Sequence, residues 1–434
     1  MGPQQFVRSA LFVLPVIGLF AAAPARAAEP PEPVSVEDAL TLAPGLVVTR
    51  VEVSPQSVDA NLVDAAARPA GLLPWGPVSL LDPMVKQFNK SAEKVGLNVG
   101  FAYTMIYQAA SNGPGERDGA TGDVDIFGNW RLLGAKDDPG RGLLYFAFEN
   151  RHQMFTSIPA GSLGGEIGSL WGTTNGFGER PLCVKELYWQ QHFGGDQVIL
   201  RVGKMDAENL YGSNYWQSDA KYFVNKAFSG PPTNGFPGAG LGFNVQAKVG
   251  DQWSLSAGAQ DAQGSPTQDG FDTFFGDFNL FYAAELRYSP VVPGWGKGTY
   301  RATAWYRDAG EADGKDHDAG FSISCDQRIG KHWVPFFRYG VAQGHVNGVE
   351  QMLSLGVGWE GKVLTPSDVV GVAGSWGQPT DHDLRDQYAF EAFYRMQVSP
   401  DNQLTVGYQL ILNPSNAPDD DCVGVFEIRW RISI

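Results

Sequence analysis

Residues 97–108 read Leu-Asn-Val-Gly-Phe-Ala-Tyr-Thr-Met-Ile-Tyr-Gln, and the chain ends at 426–434 with Phe-Glu-Ile-Arg-Trp-Arg-Ile-Ser-Ile. In the first stretch Leu97, Val99, Phe101, Tyr103, Met105 and Tyr107 share one phase, with Asn98, Gly100, Ala102, Thr104 and Gln108 on the other. In the second, Phe426, Ile428, Trp430, Ile432 and Ile434 alternate with Glu427, Arg429, Arg431 and Ser433. Successive side chains of a strand point to opposite faces, so each stretch reads as a strand with one apolar and one polar face. Similar runs fall at 123–133, 142–153, 184–193, 197–204, 240–250, 252–261, 279–288, 299–307, 319–328, 333–341, 351–361, 367–377, 387–397 and 402–412. Together they make sixteen strands and an all-β fold.

The connections alternate in length. Long segments follow the first, third, fifth and seventh strands, whereas Gly194-Gly195-Asp196 and Gly250-Asp251 make tight turns after the fourth and sixth. Gly330-Lys331 and Ser399-Pro400-Asp401-Asn402 are brief again, and the segments near 308–318, 378–386 and 413–422 are longer and rich in Asp, Gly and Pro. An outer-membrane barrel has this parity, with short turns at the periplasmic end, long external loops and an even strand number. A soluble sandwich or propeller has no reason to segregate loop length in this way.

The faces point the same way. One phase carries Val245, Ala247 and Val249, then Phe390, Ala392, Tyr394, Met396 and Val398, then Leu404, Val406, Tyr408, Leu410 and Leu412. The opposite phase carries Lys248, Glu391, Arg395, Gln397, Gln409 and Asn413. In a dry core those unpaired charges would cost several kcal/mol each, so this face is expected to be wet. Tyr107, Trp189, Tyr288, Tyr306, Trp359 and Trp376 fall near strand ends, as girdle aromatics or as ordinary sheet aromatics.

Export is legible at the start. Arg8 precedes an apolar run from Ala10 to Ala23, and Ala25-Arg26-Ala27 is a small-x-small cleavage site, so 1–28 reads as a signal peptide. Removing Arg8 and Arg26 leaves 30 basic against 47 acidic residues, a net charge of −17. After Ala28 no run approaches the ~18 apolar residues of a membrane helix, so contact with a bilayer requires a closed barrel. The acidic excess, gathered in segments such as 116–125, 137–138, 261–277, 308–318 and 419–421, argues against nucleic acid as a partner. Three cysteines cannot staple 434 residues, and 18% charge with 12% aromatics excludes a disordered chain.

Residues 29–96 do not alternate and form a periplasmic-side N-terminal extension. Ser35-Val36-Glu37-Asp38 could open a short helix, and Met84, Phe88, Ala92 and Val95 recur at helical spacing within 80–95. A plug or cap at the barrel mouth and a loosely ordered tail both fit.

The stretches Phe336-Phe337-Arg338-Tyr339-Gly340, Asp386-Gln387-Tyr388 through Glu391-Ala392-Phe393-Tyr394-Arg395, and Tyr408-Gln409-Leu410-Ile411-Leu412-Asn413-Pro414 resemble the carbohydrate-selective porins of the OprB type. Arg201-Val202-Gly203-Lys204-Met205-Asp206, Ser218-Asp219 and Phe223-Val224-Asn225-Lys226-Ala227-Phe228 are similar to that family's segment before the central pore. The resemblance covers most of 97–434. It implies a sixteen-stranded barrel in the bacterial outer membrane, monomeric or homotrimeric, that passes sugars by diffusion. Ile434 departs from the aromatic that usually ends such barrels.

The resemblance also implies that the third external loop, about 206–238, enters the lumen and narrows it. Its Tyr211, Tyr215, Trp216, Tyr222, Phe223, Phe228 and Phe236 suit stacking on pyranose C–H faces; a self-packed surface loop is the alternative. On the inward phases lie Glu149 and Arg151, with Phe146 and Phe148 on the lipid phase, then Arg201, then Arg301, Trp305 and Arg307. With Trp216 and Tyr222, and Lys204 by resemblance, these are the candidate solute-path residues; structural ion pairs in the lumen are the alternative role.

Catalytic and cofactor signals are weak. The six histidines are scattered and no Cys pair has zinc spacing, so no metal and no cofactor is expected. Asp419-Asp420-Asp421 reads as solvated charge, and Gly-x-Ser-x-Gly and P-loop motifs are absent. Cys183 and Cys422 fall in loops where they could pair, while Cys325 sits on a strand. Not an enzyme, then, but a passive sugar porin is the leading reading. A general or differently selective channel is the alternative, and a soluble exported glycan-binding or glycan-cleaving protein a more distant one.

Overall fold

The computed structural model describes residues 54–310, 314 and 316–434; the candidate signal peptide and the helix start at Ser35 lie outside the described residues. Seventeen strands form one antiparallel sheet. One of them, Val291–Val292, pairs with Gly296 and Lys297 inside a turn, which leaves sixteen in the wall. These are β1 (Leu97–Ala110), β2 (Asp118–Leu133), β3 (Gly142–Gln153), β4 (Arg180–Phe193), β5 (Val198–Met205), β6 (Gly240–Val249), β7 (Trp253–Asp261) and β8 (Leu280–Tyr288). They continue as β9 (Gly296–Arg307), β10 (Asp318–Gln327), β11 (Trp333–Ala342), β12 (Val349–Gly361), β13 (Asp368–Pro379), β14 (Gln387–Ser399), β15 (Asn402–Leu412) and β16 (Cys422–Ser433).

Neighbours in sequence are neighbours in the wall, and β16 returns to β1 with Ala102 opposite Ser433 and Ala109 opposite Phe426. At the seam the Phe101 and Ile434 backbones exchange two hydrogen bonds of 2.8 and 2.9 Å, so the terminal isoleucine completes the ladder. Closure leaves no strand edge to satisfy in a solvent without water. Segments 194–197, 250–252 and 400–401 turn the chain at one end, while 154–179 and 206–239 return from the other. Gly194, Gly195 and Asp196 all take positive φ (61°, 67° and 73°), which is why two glycines open that turn.

The alternation is physical. Along β14, Gln387, Ala389, Glu391, Phe393 and Arg395 are buried inside, whereas Tyr388 and Phe390 are 39% and 46% exposed outside. The acids of 116–125 prove to be partly wall: β2 begins at Asp118, so Asp123 and Asp125 share the inward phase with Asn129. The inward face is not uniformly wet either. Val334, Phe336, Met352, Val369, Ala373 and Phe393, on β11 to β14, form one apolar cluster with Leu163, Ile167 and Trp171 of segment 154–179 and Trp216, Phe223 and Phe228 of segment 206–239. A polar interior suffices for an empty lumen; a lumen filled by loops needs an apolar seat for their aromatics.

Among the described residues, two α-helices precede the wall. In α1 (Val58–Ala67), Ser57 caps the first turn, its hydroxyl accepting from the Ala60 N–H. The helix lies inside the barrel, where Asp59 accepts from Asn129 Nδ2 (3.3 Å) and the Tyr145 hydroxyl (3.1 Å), and Arg431 pairs with Asp64 at 3.5 Å. Helical spacing in the sequence pointed to 80–95; α2 (Asp82–Glu93) forms there, but the helix that enters the lumen is α1. Cys183, Cys325 and Cys422 are free thiols.

Candidate functional site

Segment 206–239 leaves β5 at its long-loop end and packs against the inner wall. Inward arginines hold its backbone. Arg338 Nη2 donates to Gly212 O (3.1 Å) and Gln217 Oε1 (2.6 Å), and Nη1 to Gly230 O. Arg395 donates to Lys221 O (3.2 Å), and Arg429 to Asp219 O and to Tyr222 O (2.7 Å). Glu391 works in the opposite sense, accepting from Val224 N (2.8 Å) and Asn225 N (2.9 Å). Charged partners make such hydrogen bonds roughly twice as strong as neutral ones.

The aromatics of this segment serve mainly as anchors. Trp216 is fully buried, donates to Val334 O at 2.9 Å and lies on Gly358, where a Cβ would collide with its ring. Phe223 and Phe228 are also fully buried, and Phe223 meets Phe393 edge-on at 4.9 Å. Tyr222 is half-buried, with the Arg395 guanidinium 5.1 Å above its ring. The structure therefore buries the Trp216 indole completely, against Gly358, Tyr215 and Tyr222.

A second loop joins it, one that periodicity did not single out. Segment 154–179 crosses the lumen: Thr173 O accepts from Gln108 on β1 (3.2 Å) and Gln409 on β15 (2.9 Å), and Leu170 N donates to Gln387 on β14 (2.8 Å). Trp171 donates to Asn225 Oδ1 (2.9 Å) and sits against Gly377 of the wall, so the two loops are locked together. The sign of this role was present in 161–178, a Gly-rich stretch around a lone tryptophan.

Between these loops and β3 and β4 lies a cavity of ≈ 520 Å³, lined among others by Arg151, Arg180, Trp171, Asn175, Glu179 and Lys226. Beneath it the inward charges of β2, β3 and β4 form one cluster. Arg151 bridges Asp123 (3.0 Å) and Glu149 (2.8 Å), while Glu149 also receives Arg180 and Lys185, the latter at 3.3 Å. Carboxylate oxygens of Asp123, Asp125 and Glu149 approach within 4.8 Å of one another, but the three cations already supply their countercharge. Lys185 owes its place to a β-bulge. Ala147 pairs with Glu186 and the next residue, Phe148, with Val184, so Lys185 is the extra residue and the inward phase shifts above it. Strict alternation cannot foresee that shift, nor the inward turn of Arg180.

On the loops, burial and then the neighbouring Asp206 raise the Glu208 carboxyl to about 7, and burial lowers the Lys221 amine to about 8. Glu208 Oε1 accepts from Asn175 Nδ2 at 2.7 Å, a tie between the two loops.

The remaining residues singled out from the sequence fall elsewhere. Arg201 donates to Gln190 (2.7 Å) and Asn244 (2.8 Å) and borders a small cavity of ≈ 30 Å³ beside Arg287. Arg301 pairs with Asp326 at 3.0 Å. Trp305 stacks on Phe281 with centroids 6.1 Å apart, and Arg307 donates to Ala262 O at 2.7 Å, holding the segment after β7. Lys204 stands opposite Leu187 and Leu241 in the outward register, and its ammonium reaches Pro266 O (2.8 Å) and Gln268 O (2.5 Å). That register carries Lys204 away from the lumen. Of the candidate set, Glu149 and Arg151 alone belong to the charged cluster under the larger cavity.

Comparison with known proteins gives a consistent picture. The family model "Carbohydrate-selective porin, OprB family" matches residues 141–432. Curated relatives include Porin AaxA of Chlamydia felis, 22% identical over 270 residues, and Porin AaxA of Chlamydia pneumoniae, 23% identical over 322 residues. The match spans 60% of both this chain and the first relative, and 70% of both this chain and the second. Among solved structures, Pseudomonas putida OprB at high pH superposes with a TM-score of 0.65 at 13% identity, covering 81% of this chain and 97% of that one. Its low-pH form gives a TM-score of 0.52, with 81% and 96% covered.

Proposed function

The chain belongs to the OprB family of carbohydrate-selective porins, and we propose that it admits sugars by passive diffusion along a water-filled path narrowed by segments 154–179 and 206–239. Its place is the bacterial outer membrane, where short turns face the periplasm and long loops face out. The observation that carries the narrowing is the ≈ 520 Å³ cavity, bounded by both loops and floored by the cluster around Arg151. Its size falls within the ~300–1,000 Å³ typical of small-molecule sites.

The chemistry suits a neutral polyol. A sugar hydroxyl both donates and accepts, so it needs acceptors and donors side by side. Asp123, Asp125 and Glu149 supply the first, Arg151, Arg180 and Lys185 the second, and three charges of each sign attract no ion strongly. Such contacts are exchanged for water at little net gain, which suits fast passage rather than retention. Most of the loop aromatics seat the loops in the wall, so Arg151 and Glu149 are the solute-path residues of this reading. Arg180, Asn175 and Lys226 join them.

A differently selective channel is the second reading, because paired charges also suit a small zwitterion. Swelling of proteoliposomes in isotonic solute separates the two. Glucose is expected to enter several-fold faster than maltotriose, and Arg151→Leu to change the glucose rate more than that of a neutral amino acid. Equal entry of mono- and trisaccharides would remove the narrowing, and amino acids outpacing glucose would favour the second reading.

A further inference from the structure

Eight large apolar side chains stand exposed within residues 72–95, between the lumen helix and the wall. In and around α2, Leu80 is 87% exposed, Met84 70%, Val95 59% and Phe88 52%. At 100° per residue Met84 and Phe88 fall on one stripe of α2, Lys86 and Lys90 lie about a third of a turn or more from it, and Lys94, at the C-cap, lies closer. Ala92 is the buried residue of α2, and the helix packs against β1. An apolar stripe left open beside a lysine stripe is the pattern of a helix that lies in a membrane interface.

The backbone shows on which side of the wall this segment runs. Trp130 is on the outward phase of β2, 40% exposed, and its indole N–H donates to Val95 O at 3.0 Å. Arg131 N donates to Gly96 O at 2.8 Å. Earlier, Leu72 N and Leu73 N donate to Gln397 O and Val398 O at the turn end of β14 (3.0 and 2.8 Å), and Val78 N donates to Asp401. The chain thus leaves the lumen over the 399–402 turn and continues around the outside of the rim, level with Trp130, Leu132 and Leu133 of the outward face. That face is the barrel's lipid contact, and the end of α2 is tied to it through Trp130 and Arg131.

We infer that residues 72–95 form a lipid-binding collar in the periplasmic leaflet of the outer membrane. Met84, Phe88 and Val95 enter the boundary between headgroups and acyl chains, and Lys86, Lys90 and Lys94 meet the phosphates of anionic phospholipids. The lysine stripe complements phosphate charge, and long lysine stems reach headgroups from a helix seated just below them. The collar would tie the entry to β1, and through it α1, to the membrane plane.

The test uses the full chain with Cys183, Cys325 and Cys422 replaced by Ser and one bimane-labelled cysteine introduced by Met84→Cys, Phe88→Cys or Lys90→Cys. Each variant is reconstituted in phosphatidylethanolamine–phosphatidylglycerol vesicles, with heat-modifiable migration reporting a folded barrel and ion conductance read on the same material. Labels at 84 and 88 are expected to be quenched several-fold more by nitroxide lipids than the label at 90, with the order reversed for iodide. Equal iodide access at all three positions would overturn the collar, since the helix would then face water. Labels at 84 and 88 shielded from both quenchers would overturn it too, because protein, such as a second copy, would cover the stripe. Neither result touches the porin reading, which the conductance tests separately.

Discussion

Replacing Arg338 by Met tests whether the inner wall holds the loop that fills the lumen. Arg338 is 3% exposed, and its guanidinium reaches two loop carbonyls and the Gln217 side chain. Met keeps most of the stem's volume and removes every donor. Each charge-assisted bond is worth about 1.5–3 kcal/mol, and lumen water can replace part of it, so three bonds at the lower limit give roughly 4 kcal/mol. At about 1.4 kcal/mol per decade, the ratio of docked to released loop falls about a thousandfold. Glu391, Arg395 and Arg429 still hold their own stretches, so release is expected as brief excursions around 212–217 and 230 rather than permanent opening. In planar bilayers Arg338→Met should flicker to larger conductance, and in swelling assays it should admit trisaccharides. Arg338→Lys should fall between, because one ammonium cannot span both carbonyls as the planar fork does. A folded Arg338→Met barrel with unchanged conductance, noise and size cutoff would mean that Arg338 does not hold the loop in the lumen.

Two other perturbations probe the same assembly. Gly358→Val places a side chain where the Trp216 indole lies and is expected to cost loop docking about 1–3 kcal/mol, seen as a red shift of tryptophan emission and added channel noise. An unshifted spectrum would mean that Trp216 does not use that seat. Glu208 has a raised folded-state pKa, so its contribution to loop docking is present below the unfolded value of 4.5 and is lost as pH rises through about 7. Its ionisation among Asp206, Asp219 and Lys226 adds negative charge near the path. Cation-over-anion selectivity should therefore rise between pH 6 and 8, and Glu208→Gln should flatten the rise; a Gln variant with the full rise would assign it to another group.

Much of the fold was legible because its physics is local. Period-two alternation requires only that one face meet an apolar phase and the other a polar one, so all sixteen wall strands could be drawn before their pairing was known; the loop parity holds for 154–179 and 206–239 against 194–197 and 250–252, but the first connection, 111–117, is shorter than the second, 134–141. What escaped depends on distant partners. The bulge at Lys185 is a two-to-one pairing with β3 and leaves no mark in β4 by itself. Trp216 and Phe223 read as sugar platforms because their residue type suits both roles; only the glycine at 358 and the phenylalanine at 393, more than a hundred residues away, make them anchors. Lys204 followed family resemblance, whereas its own parity with Arg201 already placed it on the opposite face. In α1 the mixed Val-Asp-Ala-Asn-Leu run has no strong apolar stripe, since polar groups such as Asn129, Tyr145 and Arg431 meet it inside the lumen.

On the proposed function, sugars enter the lumen and pass beside Arg151 and Glu149. Single-channel current in a planar bilayer, recorded while glucose is titrated into both compartments, tests it most directly. A current reduction that saturates with glucose is expected, beyond the proportional loss of bulk conductivity, with a half-saturating concentration that rises about tenfold in Arg151→Leu as one charge-assisted contact is lost. A current that merely tracks bulk conductivity at every glucose concentration, identical in both proteins, would contradict it.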